Sequence, residues 1–132
     1  MIDKQEIFNL AYLGLQKQGF KQSLQPNSSK CSYLTPDGLK CAVGHVIADC
    51  DYKEEFEGNC ASMVFRELKI SLNNEEEYFV DELQAVHDGH QSKDFNAVAP
   101  DFMTPEIMKA RLQIFATKYG LNIPNGENND VV

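Results

Sequence analysis

No stretch of this chain approaches the roughly 18 consecutive apolar residues of a membrane-spanning helix. The opening, MIDKQEIFNL, carries acidic and amide side chains where an export signal needs an apolar core, so a secretory leader is not expected. No P-loop, G-x-G-x-x-G, G-x-S-x-G or H-E-x-x-H motif occurs. That removes the usual sequence grounds for nucleotide, dinucleotide, serine-hydrolase and zinc-protease chemistry. Basic residues are scarce: 12 Lys and Arg stand against 20 Asp and Glu, a net charge of −8. Such a surface repels phosphate backbones, so direct nucleic-acid binding is disfavoured, and it attracts a basic protein partner. Acid that only confers solubility is the plainer account of the same charge. There is no internal repeat and no low-complexity tract.

At 132 residues with 42% hydrophobic side chains, the chain is long enough for one domain with a core of its own. Apolar residues at helical spacing predict helices over 3–18, 60–69, 74–88 and 104–120, with Asp3, Asn59, Asn74 and Thr104 at their starts and Gly19, Gly89 and Gly120 at three of their ends. Thr104-Pro105-Glu106 is the sharpest of these starts, a cap followed by proline and acid. Residues 89–103 form the longest connection. The expected domain is 1–120, and 121–132 reads as a flexible tail.

The stretch KCSYLTPDGLKCAVGHVIAD, residues 30–49, organises the rest. Pro36-Asp37-Gly38 suits a hairpin turn. In that register Thr35 opposes Leu39, Tyr33 opposes Cys41 and Cys31 opposes Val43. Val43, Val46 and Ile47 then fit a short helix, so strand yields to helix near Ala42. The expected fold class is α+β, mainly helical, with four or five helices packed around one β-hairpin. Cys31, Cys41, Cys50 and Cys60 show no export context, and Cys31 and Cys41 are not opposite one another; buried free thiols are expected.

The motif C-S-Y-L-T-P-D-G-L-K-C-A-V-G-H-V-I-A-D, followed by Tyr52 and Glu57-Gly58, resembles a family of small proteins encoded by bacteriophages, prophages and some bacteria. That family carries a C-x-Y-x-x-P-D-G-x-x-C-A-x-G-x-x-I-x-D core. The similarity runs from the first helix through His87-Asp88 to the last helix. The family has no settled biochemical activity. The resemblance therefore implies a setting, the cytoplasm of a bacterial cell during infection, and no mechanism. Cys50 and Cys60 stand outside its pattern, which speaks against a four-cysteine site.

The polar residues offer four candidate chemistries. Structural zinc would draw on Cys31, Cys41, His45 and Cys60, although no C-x2-C or C-x4-C knuckle is present. A thiol-dependent enzyme or ligand-binding domain would use Cys41 near a helix start, His45 or His87 as base, and Asp49 or Asp88 as orienter. In His87-Asp88-Gly89-His90 the glycine marks a helix end, where a cationic histidine is favourable without any metal. The acids Asp51, Glu54, Glu55 and Glu57 lack a calcium-loop spacing and read, with Glu75, Glu76 and Glu77, as an acidic face. The function expected is a non-enzymatic interaction protein that binds a basic host or phage protein, including a nucleic-acid-binding defence protein whose phosphate ligand the acids would mimic. No cofactor is called for.

Overall fold

The structure, a computed structural model, describes residues 3–25 and 30–124. Among the described residues four α-helices form: α1 (Lys4–Lys17), α2 (Ala61–Glu67), α3 (Asn74–Asp88) and α4 (Pro105–Lys118). Short 3-10 turns lie at Val43–His45, Asp49–Asp51, Glu54–Phe56 and Pro100–Phe102. No described helix is long and apolar enough to cross a membrane.

Local chemistry explains most of the helix ends. Asp3 caps α1 by accepting the Glu6 N–H at 3.1 Å. Asn73 and Glu76 form a reciprocal capping box on α3, and Gly89 closes that helix with φ 79°. The Thr104 hydroxyl accepts the Ile107 N–H at 3.1 Å ahead of Pro105. α2 starts differently from expectation. Cys60 occupies the cap position without capping, and Asn59 donates to the Glu55 carbonyl instead. Asp81 of α3 takes the Ser62 N–H at 2.8 Å and the Ser62 hydroxyl at 2.9 Å, so a neighbouring helix supplies the cap.

α3 packs against both α2 and α4, and α1 lies on the Val43–His45 turn. Aromatic rings tie the layers: Phe8 of α1 stacks on Phe115 of α4 at 6.0 Å between centroids, and Phe79 meets Tyr119 edge-on at 4.9 Å.

The fold class needs correction. Among the described residues there is no strand and no sheet, so the chain is helical and not α+β, and the β-hairpin of residues 31–43 does not form. The turn itself closes as expected: Thr35 N donates to Leu39 O at 2.8 Å and Gly38 N to Thr35 O at 2.9 Å. Beyond Thr35 and Leu39 its two arms do not pair, because their donors go to side chains. Tyr33 N and Leu34 N both donate to the Glu57 carboxylate, at 3.0 and 3.3 Å. Lys40 N donates to Gln18 Oε1 at 3.1 Å, and Gln18 Nε2 returns a bond to Lys40 O at 2.8 Å. Val43 N donates to Gln84 Oε1 at 3.0 Å. A ladder needs those same groups free for the neighbouring strand. Ala42 has also already turned helical, at φ −53° and ψ −53°. The extended pairing that does exist lies upstream, where Leu24 bridges Cys31 and Ser32 N donates to Ser23 O at 2.8 Å.

The connection 89–103 has structure of its own. Ser92 bridges Phe95, and Val98 N reaches back to Gly89 O at 2.8 Å. Buried Arg111 of α4 holds it to the end of α3 by donating to the carbonyls of Val86 (2.9 Å), His90 (3.1 Å) and Asn96 (2.6 Å). Its guanidinium also lies 5.1 Å from the Phe95 ring centroid. At the C-terminal end, Asn122 exchanges two 2.9 Å hydrogen bonds with Gln5 of α1. The remainder of the expected tail, 125–132, lies outside the described residues.

Arg111→Met removes the donors for three carbonyls while keeping much of the packing. The expected cost is roughly 3–5 kcal/mol, since each buried group left unpaired costs about 1–3 kcal/mol. Urea denaturation measures it; a loss below about 1 kcal/mol would show that the three carbonyls find other donors.

Candidate functional site

A cleft of about 570 Å³ opens between residues 30–33, residues 58–61 and the face of α3 that carries Asp81, Gln84 and Asp88. Three of the four cysteines, Cys31, Cys41 and Cys60, line it, and His90 also contributes to its lining. Asp81, Gln84 and Asp88 share that face because they recur at i, i+3 and i+7 on one helix.

His87 is fully buried beside this cleft. Its Nε2 accepts the Ser23 N–H at 3.3 Å, which assigns the ring proton to Nδ1, and Nδ1 donates to Asp88 Oδ1 at 2.8 Å. Gln84 Nε2 donates to the same oxygen at 2.8 Å. The Cys31 thiol hydrogen-bonds to Asp88 as well; burial first, then the Asp88 charge, hold it well above the usual thiol range. Cys31 Sγ, a His87 ring nitrogen and an Asp88 carboxylate oxygen all lie within 4.8 Å of one another. Cys31 is therefore a protonated thiol, and His87 has no nitrogen free to act as its base.

The trio Cys41, His45 and His87 is not assembled as one nucleophilic site. Cys41 is buried and accepts the Gly44 N–H at 3.3 Å. Burial pushes its pKa up, outweighing any lowering by the short turn that follows it. His45 faces α1, with Nε2 2.9 Å from Gln18 Oε1. Gly14 makes the room: a Cβ there would lie 2.3 Å from the imidazole. Burial, then the Lys40 charge, lower the His45 pKa to about 4. Of the four residues considered for zinc, the three cysteines line the cleft and His45 does not. Cys31 is half-buried, and Cys50 and Cys60 are exposed, contrary to the burial expected of all four thiols. The Asp49 side chain lies outside the described residues.

The acids divide by role. Asp51, Glu54 and Glu55 are exposed. Glu57 is internal: besides Tyr33 and Leu34 N–H it accepts the Tyr52 hydroxyl at 2.6 Å. Glu75 pairs with Lys4 at 2.5 Å, Glu77 pairs with Arg66 at 3.1 Å, and Glu76 is buried in its capping box. Sequence reasoning missed Gln18, Gln84 and Arg111, and missed Cys31 as the partner of Asp88. For Gln84 a signal existed, since Gln and Asp at i, i+4 on a helix pair readily.

The His45 pKa has a consequence for acid stability. The folded value of about 4 lies below the ordinary 6.5, so the unfolded chain takes up the proton first. Stability is whole above pH 6.5 and falls as pH drops toward about 4. His45→Gln should flatten that part of the stability curve followed by thermal unfolding. A curve of unchanged slope would show that the ring is not held neutral.

Compared with known proteins, the chain matches no family profile, no curated protein and no solved structure.

Proposed function

We propose that the protein is a non-enzymatic accessory protein of a phage or other mobile element, which binds a basic host or phage protein through its acidic turns. The observation that carries this reading is the state of Asp51, Glu54 and Glu55. All three are exposed, and among the described residues none has a cation partner. Glu75 and Glu77, by contrast, are paired with Lys4 and Arg66, and Glu57 and Glu76 serve the fold. The candidate surface thus narrows from seven acids to the Asp49–Asp51 and Glu54–Phe56 turns. The net charge of −8 adds long-range attraction for a basic surface. The resemblance of the 31–49 motif to phage and prophage proteins supplies the setting, a bacterial cytoplasm. One form of this reading makes the partner a nucleic-acid-binding defence protein, with the three carboxylates standing where phosphates would.

The cleft favours a second reading, a ligand-binding domain. Cys31, Cys41 and Cys60 gather there with two carboxylates, a combination that an acidic interaction surface does not require.

The tagged protein should retain a partner from bacterial lysate at low salt and release it as ionic strength rises past the screening range. Combining Asp51→Asn, Glu54→Gln and Glu55→Gln should weaken capture by about tenfold or more, because rim charges act mainly on association. Added DNA should compete if the partner is a nucleic-acid-binding protein. A partner held equally well by the neutralised variant would remove the acidic turns from the account.

A further inference from the structure

We propose that the cleft is a binding site for one thiophilic divalent cation of the zinc class, held by the Cys31 sulfur and the Asp88 carboxylate, with His87 as the buried group that aims the carboxylate. This inference does not rest on the acidic-turn reading. The sulfur and the carboxylate oxygen lie within 4.8 Å of each other. Ligand atoms on one tetrahedral zinc ion stand about 3.5 Å apart, given Zn–S and Zn–O distances of about 2.3 and 2.1 Å. Small side-chain rotations therefore bring both onto one ion.

The hydrogen bonds define which donor atoms are open. His87 Nδ1 and Gln84 Nε2 both donate to Asp88 Oδ1, and among the described residues no N–H donor is seen on Oδ2. Such a carboxylate is oriented through one oxygen, as ligating carboxylates are by their outer partners. The Cys31 proton sits between sulfur and carboxylate. A cation takes that place: the S–H bond breaks, an S–metal bond forms, and the proton passes to solvent with no change of oxidation state. Burial and the neighbouring negative charge, which disfavour a bare thiolate, are offset by the ion's own charge.

His87 is a positioning residue here and not a ligand. Coordination through Nδ1 would move its proton to Nε2, where it would face the Ser23 N–H across 3.3 Å. Cys60 and His90, both exposed and both lining the cleft, are the side chains available for further positions on the ion. Cys50 does not line the cleft, and its thiol contacts Asp51 instead.

The test uses the reduced, chelator-stripped full chain and cobalt(II) alone. One equivalent should bind with a thiolate-to-cobalt charge-transfer band, and zinc(II) should displace it. Cys31→Ser should abolish the band. Asp88→Asn should weaken binding by about tenfold or more, and His87→Gln should weaken it about 10–100-fold while leaving the sulfur band in place. Cys50→Ser should change nothing. Should a variant fail to fold, the wild-type thermal midpoint still decides, because zinc must raise it by mass action. Absence of both the band and the thermal shift would overturn the proposal. So would a band that survives Cys31→Ser or disappears with Cys50→Ser.

Discussion

A buried backbone N–H must find an acceptor, and in residues 33–43 the acceptors are largely side chains from elsewhere. Glu57 takes the amides of Tyr33 and Leu34, Gln18 just past α1 brackets Lys40, and Gln84 of α3 takes Val43. Each bond contributes about 1 kcal/mol net, but losing one exposes a buried donor at about 1–3 kcal/mol. These side chains therefore do more than decorate a loop: they place Tyr33 and Cys41 on the wall of the cleft and join α1 and α3 to it. Gln84 has a double role, since its amide nitrogen also steadies Asp88.

α3 carries a second set of polar anchors away from the cleft. Glu82, buried, accepts from Tyr119 at 2.7 Å and from Lys118 at 2.8 Å, which fastens α3 to the last turn of α4. Burial works against the Lys118 charge, but Asp94 and Glu82 outweigh it and raise the ammonium pKa. Arg111 gathers the carbonyls at the end of the same helix. The face that bears Asp81, Gln84 and Asp88 is thus held on a helix fixed along its length, the condition under which a polar cluster keeps its geometry.

The parts legible in the sequence were those governed by neighbours in the chain. Asp3, Thr104-Pro105 and Gly89 marked helix ends because capping acts within four residues. The Pro36-Asp37-Gly38 turn was legible for the same reason. The hairpin was not, because alternation and a good turn fit a strand pair equally well, and the groups that prevent it lie 22, 24 and 41 positions away at Gln18, Glu57 and Gln84. The site followed the same division. His87-Asp88 stood out as a pair, but nothing local connects it with Cys31. The acidic runs were visible as charge, while the cations that neutralise Glu75 and Glu77 were not.

The way residues 33–43 are tied also decides how another protein could take hold of them. The amides of Tyr33, Leu34, Lys40 and Val43 already point at internal acceptors. These four N–H groups are therefore closed to a foreign peptide that would zip itself in as an added strand. Recognition at this surface must read side-chain shape and charge, and it can tolerate drift in a partner's backbone far better than a change in its chemistry.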